Sequence, residues 1–219
     1  VAILKGRIIA VVLLGVYTFV SYFFAPMSFF LFILLMLVMP FFVMRAIRFN
    51  AVMSSWRGVR FGFGGDLLGA YKVVLLWPLF GLVTLGLGMP YVWYKQNQYL
   101  YSHYSYGQTA AATSAVPNDF YRVLFNVIGI SVIGGLLLSG VAFTLDESVV
   151  ALMFAGAGYV ALYVLIYAGY QSSYFAAVYN NVQINGSRLQ TDITITGLFA
   201  VVLPNTIFTA LTLGLYYPW

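Results

Sequence analysis

The sequence lacks cysteine and has few charged residues. Its 219 residues include no Cys, one His and only 7% Asp, Glu, Lys and Arg, against roughly 25% charged residues in an ordinary soluble domain. Without thiols there are no disulfides, thiolate metal sites or cysteine nucleophiles, and one histidine cannot build a His-rich metal cage. We therefore expect a protein that is not an enzyme, with no catalytic residue, cofactor or metal.

Apolar residues make up 63% of the chain. Ten basic and five acidic side chains cannot cover the surface of a chain this long, so the surrounding solvent must be a lipid bilayer. The excess of basic residues predicts cytoplasmic loops and anionic lipid head groups as partners, and no nucleic acid. The basic residues expected near lipid head groups are Arg45, Arg48, Arg57 and Arg60.

Long uncharged runs predict membrane helices. Residues 8–24 and 28–44 predict one helical hairpin, and residues 123–145 and 149–178 predict a second. Small residues recur every four positions in the second hairpin, which predicts close helix packing rather than a substrate path. They are Ser131, Gly135 and Ser139 in the first helix, and Ala157 and Ala161 in its partner.

Two further apolar runs, at residues 73–93 and 198–219, contain proline and glycine in their interiors. Proline removes a helical hydrogen bond and glycine weakens a helix, so both runs are expected to be interrupted. The connectors before them predict β structure. In the first connector, apolar residues alternate with other residues along part of 57–65. In the second connector, apolar residues at 182–184 and 193–196 flank the turn signal Asn185-Gly186.

An internal repeat relates the two halves of the chain. Residues 49–55 match 175–181, two residues are inserted in the second copy, and a Gly-x-Arg pair is then followed at identical spacing by TLGL and a proline. We expect 49–90 to superpose on 175–218. The motif residues are Gly58, Arg60, Thr84 and Gly86 in the first copy, and Gly186, Arg188, Thr212 and Gly214 in the second.

These features predict an all-α polytopic membrane protein. Helical hairpins form an internal duplication, and each is followed by a small polar or β connector and an interrupted membrane segment. The first repeat unit is expected at 1–94, a polar Tyr-rich linker at 95–122, and the second repeat unit at 123–219.

Three motifs carry a family resemblance: ILKGR at 3–7, GVRF at 58–61 and LTLGLYYPW at 211–219. Together they resemble the YjgN-like family of bacterial inner-membrane proteins, the domain of unknown function 898, over nearly the whole chain. The resemblance implies a multi-pass protein of the bacterial inner membrane and supplies no activity. It also implies further sequence before ILKGR and a basic run after Trp219, so we expect a longer gene product.

Polar residues inside apolar runs are candidate sites. Asn126 and Asn205 each need a partner for the side-chain amide, and a structural partner is favoured over an ion site. His103 is a lone histidine expected to have no nearby carboxylate, which disfavours a proton-sensing role. Residues 62–65 lack the Lys-Ser/Thr pair of a phosphate-binding loop. The adjacent acids Asp146 and Glu147 predict a solvated turn.

Charge predicts the topology. Residues 45–72 hold five basic residues against one acid, and the turn at 146–147 is purely acidic. This asymmetry places 45–72 and 95–122 in the cytoplasm, so that 73–93 must be re-entrant. The competing interpretation is one tilted crossing of 73–93, which would invert the second unit.

Two classes of function remain. The repeat and its interrupted segments favour a transport or channel-like module. The shortage of buried ionisable residues favours a non-catalytic scaffold or accessory subunit of a bacterial envelope complex, with a membrane-protein partner or a homo-oligomer. A polar cavity at the repeat interface would support transport, whereas a dry, fully packed core would support the scaffold.

Overall fold

The computed structural model describes residues 12, 15–19, 22, 25–144 and 148–216. The predicted first span at 8–24, the ILKGR motif and the acidic turn at 146–147 therefore lie largely or wholly outside the described residues. In chain order the elements are α1 (Ala25–Met53), β1 (Ser55–Trp56), β2 (Val59–Phe63), α2 (Leu67–Tyr71), a π-helical turn (Lys72–Leu76), α3 (Trp77–Val83), α4 (Met89–His103), β3 (Tyr104–Tyr106), β4 (Thr109–Thr113), α5 (Pro117–Thr144), α6 (Val149–Tyr179), β5 (Val182–Ile184), β6 (Ser187–Arg188) and α7 (Ile195–Leu211).

Three helices in the described part of the chain, α1, α5 and α6, are long and apolar enough to cross a membrane. With 29, 28 and 31 residues, each is about 42–47 Å long, which exceeds the roughly 30 Å hydrocarbon core. Local signals start them: Pro117 opens α5, and the Ser148 hydroxyl caps α6 by accepting from the Ala151 N–H at 3.2 Å. The predicted helices at 28–44, 123–145 and 149–178 are confirmed.

In the described part of the chain, six short strands form one antiparallel sheet in the order β1-β2-β3-β4-β5-β6. The sheet joins distant parts of the chain, since Phe63 of β2 lies opposite Tyr104 of β3, and Ala112 of β4 lies opposite Gln183 of β5. Each β-hairpin follows one helix and precedes another. The sheet therefore gathers the ends of α1, α4, α5, α6 and α7 at one end of the molecule.

The prediction of an all-α fold is wrong because of this sheet. The predicted connector hairpins are present in β1–β2 and β5–β6, but the Tyr-rich segment expected to be a linker supplies a third hairpin, β3–β4, between them. An isolated two-stranded hairpin is marginally stable, whereas six paired strands satisfy most of their backbone groups. The strand expected at 193–196 is absent: Thr194 caps α7, which begins at Ile195.

The two predicted hairpin turns have the same backbone conformation. Both central residues have positive φ angles, 50° and 79° at Arg57 and Gly58, and 53° and 77° at Asn185 and Gly186. Positive φ at both positions is the requirement of a type I′ turn, whose twist matches that of the flanking strands. Glycine adopts this conformation without a steric penalty, so each turn depends on its Gly.

The apolar run at 73–93 turns back on itself. Residues 67–83 run away from the sheet through α2, the π-helical turn and α3, and α4 then returns. The Gly64 N–H donates to the His103 carbonyl at 2.9 Å, so the two ends of this excursion meet at the sheet. A helix that continued in one direction through this run would separate those ends.

Both TLGL motifs form chain reversals. Leu85 and Gly86 have φ angles of 53° and 88°, and Leu213 and Gly214 have φ angles of 51° and 91°. The predicted interruption of 198–219 therefore occurs at the TLGL motif. It does not occur at Pro204, because α7 runs through that residue without a break.

Helices α5 and α6 pack through a different small-residue face from the predicted one. A Cβ atom at Gly134 would collide with the Leu162 side chain, whereas a Cβ atom at Gly135 would meet nothing within 4 Å. Ser139 and Ala157 are exposed. The predicted stripe is therefore wrong at Gly135, Ser139 and Ala157, and the close approach lies at Gly134.

The most buried cluster lies where the helices meet the sheet. Phe120 and Val123 of α5 pack against Ala177 and Val178 of α6, and Phe120 has no exposed surface. Away from this junction the long helices expose large apolar side chains, such as Phe30 at 70%. Apolar helix surfaces of this extent are typical of chains that contact lipid.

Candidate functional site

A partly enclosed cavity of about 260 Å³ lies where five helical segments meet. Most of its wall is apolar, with two side-chain amides and two tyrosines. The lining residues are Val43, Met44 and Ile47 of α1, Ala70 of α2, Val73 and Val74 of the π-helical turn, Gln96, Asn97, Tyr99 and Leu100 of α4, and Tyr174 of α6.

The π-helical turn beside the cavity has an identifiable cause. The Trp77 N–H bonds to the Lys72 carbonyl, so the Val73 carbonyl loses its usual helical donor, and the next candidate donor is Pro78, which has no N–H. The Gln96 side chain supplies the missing donor, with its Nε2 at 3.1 Å from the Val73 oxygen. The amide of Gln96 therefore stabilises a wall of the cavity.

Helix α1 has a similar defect one turn before its cavity-lining residues. Pro40 lies inside α1 and leaves a helical carbonyl without its donor. In the same turn, the Tyr71 hydroxyl donates to the Leu37 carbonyl at 2.7 Å. This bond connects the end of α2 to the middle of α1.

Asn97 is the buried polar residue of the cavity, with 7% of its surface exposed. Its Nδ2 donates to the Trp93 carbonyl at 2.8 Å and to the Tyr174 hydroxyl oxygen at 3.0 Å. Because a carbonyl can only accept, the Trp93 bond fixes the orientation of the amide. Within the described residues, neither the Asn97 Oδ1 nor the Tyr174 hydroxyl proton has a hydrogen-bond partner.

Aromatic rings hold Tyr174 in place. The Trp93 ring lies edge-on at 6.1 Å between centroids, and the Phe120 ring lies on another side at 6.1 Å. Edge-to-face pairs at this distance contribute attraction beyond buried area alone. Tyr174 therefore connects α6 to α4 and α5, lines the cavity, and accepts a hydrogen bond from Asn97 through its hydroxyl oxygen.

A polar cluster closes the end of the cavity region nearest the sheet. The Tyr99 hydroxyl donates to the Asp66 carbonyl at 2.6 Å, and the His103 Nε2 lies 3.9 Å from the Asp66 Oδ1. The hydrogen bond from the Gly69 N–H lowers the pKa of Asp66. The expectation that His103 lacks a nearby carboxylate is wrong, because the chain excursion brings Asp66 back beside it.

The TLGL threonines act within the chain reversals. The Thr84 hydroxyl donates to the Phe80 carbonyl at 3.0 Å and accepts from the Gly88 N–H at 2.9 Å. The Thr212 hydroxyl donates to the Phe208 carbonyl at 2.7 Å and accepts from the Tyr216 N–H at 3.1 Å. Both hydroxyl groups therefore replace backbone partners where the helix ends.

Among the remaining motif residues, the two arginines lie on strands of the sheet. Arg60 is opposite Ser55 and Arg188 is opposite Gln183, and both arginines are exposed. Their glycine neighbours in the motif occupy the hairpin turns described above. None of these motif residues lines the cavity at Asn97.

Asn126 and Asn205 lie in two other grooves. The Asn126 Nδ2 donates to the Ser173 hydroxyl at 3.1 Å, which links α5 to α6. The Asn205 Oδ1 accepts from the Tyr216 hydroxyl at 3.4 Å, rather than the amide donating to a carbonyl freed by Pro204. The structure therefore does not bring the two predicted asparagines together.

Sequence reasoning missed Asn97 and Gln96. The available signal was a pair of adjacent amides inside an aromatic helix, since the surrounding residues 91–101 are rich in Tyr and Trp. For metal binding, the residues that the structure describes contain no group of three or more His, Cys, Asp or Glu side chains that could hold an ion.

The fold thus defines a mainly helical protein with three candidate membrane helices, whose ends are joined by an antiparallel sheet next to a small cavity. The family described as bacterial protein of unknown function (DUF898) matches residues 1–219, and the chain belongs to this family. Searches of curated proteins and of solved structures each found no match.

Proposed function

We propose that this protein is a multi-pass protein of the bacterial inner membrane that acts as a transport or channel-like module through the cavity at Asn97. The observation that carries the proposal is a buried amide with an unused acceptor in a cavity between helices. Broken helices and π-helical turns are common at such sites, because their freed backbone groups can be satisfied only by protein or by ligand. The proposal assigns no catalytic step to the protein.

The distribution of charge supports a cytoplasmic location for the sheet. The chain reversals at 84–88 and 212–216, at the opposite helix ends, contain no charged residue. Basic residues in cytoplasmic loops set the orientation of membrane helices. Those near the sheet include Arg45 and Arg48 toward the end of α1, and Arg57, Arg60 and Arg188 on the hairpins.

Residues 67–103 then form a re-entrant excursion from the cytoplasmic side. The arginines of the first unit lie where they can contact anionic lipid head groups. The Arg57 guanidinium stacks over the Trp56 ring at 4.5 Å, and Arg45 lies 6.0 Å from the Phe41 ring. Aromatic and basic side chains in combination are typical of the membrane interface.

Matching local geometry supports an internal duplication. In the first copy, the Phe61 N–H donates to the Ser54 carbonyl at 3.1 Å. In the second copy, the Leu189 N–H donates to the Val182 carbonyl at 3.0 Å. The next helix is capped by Asp66 in one copy and by Thr194 in the other. This correspondence aligns Ser54 with Val182 rather than with Asn180, so the two inserted residues become Asn180 and Asn181 instead of lying after the matched segment 175–181. Superposition of 49–90 on 175–218 remains the prediction that follows.

Accessibility of the cavity to water tests the proposal. The chain has no cysteine, so Val74→Cys introduces a single thiol on the cavity wall. We expect a membrane-impermeant thiol reagent to modify this cysteine in proteoliposomes, because a transport or channel-like module opens its site to an aqueous phase.

The matched control is Val164→Cys in α6, where the native side chain is 2% exposed and does not line the cavity. This control should stay unmodified under the same conditions. If Val74→Cys reacts no faster than Val164→Cys from either side of the membrane, the transport proposal fails.

The second candidate is a non-catalytic scaffold or accessory subunit. The observation in its favour is α7, none of whose residues is buried although most of them are apolar. A helix whose residues are all half-buried or exposed keeps much of its apolar surface available for lipid, a membrane-protein partner or another copy. An unreactive Val74→Cys would favour this candidate.

A further inference from the structure

We infer that the cavity at Asn97 binds an uncharged, largely apolar molecule that carries a hydroxyl group. The inference rests on the proposed function, because it names the class of molecule that the proposed transport site would take. Three properties of the cavity lead to it: the charge of its wall, the hydrogen-bonding groups left unused, and its volume.

The wall of the cavity excludes charged molecules. The described residues that line it are aliphatic, amide or tyrosine side chains, and none is an Asp, Glu, Lys or Arg. An ionised ligand would lose its hydration without gaining a counter-charge, which costs far more than the surrounding amides return. A neutral ligand with an apolar body avoids this cost and buries its surface against Val43, Ile47 and Leu100.

The unused polar groups select a hydroxyl group. Within the described structure the Asn97 Oδ1 is an acceptor without a donor, and the Tyr174 hydroxyl proton is a donor without an acceptor. A hydroxyl group both donates and accepts, so one oxygen atom satisfies both. An ether accepts only, and would leave the buried Asn97 acceptor unpaired at a substantial cost.

The size of the cavity limits the ligand. A volume of about 260 Å³ holds about nine groups at the roughly 30 Å³ that a water molecule occupies in the liquid. A straight-chain alcohol such as 1-octanol has this number of heavy atoms. Larger amphiphiles can place only their hydroxyl end in the cavity, with the rest of the molecule leaving through its open side.

The experiment uses the full chain in lipid nanodiscs. A straight-chain alcohol that carries a photoreactive diazirine is bound and irradiated, and mass spectrometry identifies the labelled peptides. We expect labelling in the segments that contain Val74 and Leu100, and competition by unlabelled 1-octanol. Heptyl methyl ether, which has equal size but no donor, should compete about tenfold less well at equal concentration in the membrane.

Two tyrosine-to-phenylalanine variants, each lacking one oxygen atom, form a matched pair. Tyr174→Phe removes the hydroxyl donor and should weaken competition by 1-octanol about tenfold. Tyr163→Phe makes the same chemical change at an exposed position of α6, and should leave the competition unchanged. Equal competition by alcohol and ether on the native chain overturns the inference, as does labelling confined to peptides outside the cavity.

These outcomes are separable from those of the cysteine experiment. If the cavity prefers the alcohol but Val74→Cys stays unreactive, the inferred ligand class is supported and the proposed transport role is contradicted. If Val74→Cys reacts but the cavity shows no preference for the alcohol, the proposed transport role is supported and the inferred ligand class is contradicted.

Discussion

Replacing Phe120 by alanine is expected to lower the free energy of unfolding by about 3–5 kcal/mol. The Phe120 side chain is fully buried, and it packs against Val123, Ala177 and Val178. Its ring also contacts Tyr174, so the substitution opens a cavity between α5 and α6 beside the proposed site. Denaturant unfolding of the purified protein in micelles, followed by tryptophan fluorescence, measures the effect.

The control for Phe120 lies on the same helix. Phe125 is 66% exposed, and Phe125→Ala should change the free energy of unfolding by about 0.5 kcal/mol or less, because it opens no cavity. Equal losses for the two variants would mean that the helix–sheet junction is not the main packed core of the described structure.

Gly134→Leu is expected to destabilise the α5–α6 pair by about 1–3 kcal/mol, because the new side chain must displace Leu162 from the helix interface. The same unfolding titration measures the loss. Leu162→Ala in the Gly134→Leu background should recover part of it, since the second change makes room for the first.

The adjacent glycine gives the control with the opposite expected sign. A Cβ atom at Gly135 meets nothing within 4 Å, so Gly135→Leu should be neutral or stabilising through the higher helix propensity of leucine. If Gly135→Leu is the more destabilising of the two, the rotation of α5 against α6 described above is wrong.

Local chemistry made the hairpin at Asn185-Gly186 predictable from the sequence, since few residue pairs adopt two successive positive φ angles. The third hairpin was not predictable in this way. Residues Thr109–Thr113 read Thr-Ala-Ala-Ala-Thr, a composition with little β-propensity. This strand exists because β3 and β5 pair with it on both sides, and that information is not local.

The packing face of α5 shows a second limit. Gly134 and Gly135 are adjacent, but only Gly135 has small residues four positions away on both sides, Ser131 and Ser139. The spacing rule therefore selects Gly135, which is not the glycine at the close approach. The face that meets α6 depends on the rotation of both helices, which is set by the sheet and by the aromatic contacts at Phe120 and Tyr174. The sequence therefore predicted the helical hairpin and not its contact face.

The candidate site was the least predictable part. The Asn97 amide has its special character because it bonds to Tyr174, a residue from the second unit. His103 likewise meets Asp66 only because the chain reverses between them. In both cases the residue types are ordinary, and the site results from long-range contacts that no motif specifies.

The central claim is that the chain leaves the sheet and returns to it from the cytoplasmic side, with the cavity between the helices. Ser102→Cys tests this claim most directly, because Ser102 is exposed at the end of α4 beside the sheet and the chain contains no other thiol. Thr144→Cys at the opposite end of α5 is the reference position, expected to face the periplasm.

Both single-cysteine proteins are treated in intact cells with a membrane-impermeant maleimide, before and after the membrane is permeabilised. The account predicts that Thr144→Cys is labelled in intact cells, whereas Ser102→Cys is labelled only after permeabilisation. Ready labelling of Ser102→Cys in intact cells would contradict the cytoplasmic location of the sheet and the entry of the excursion from that side.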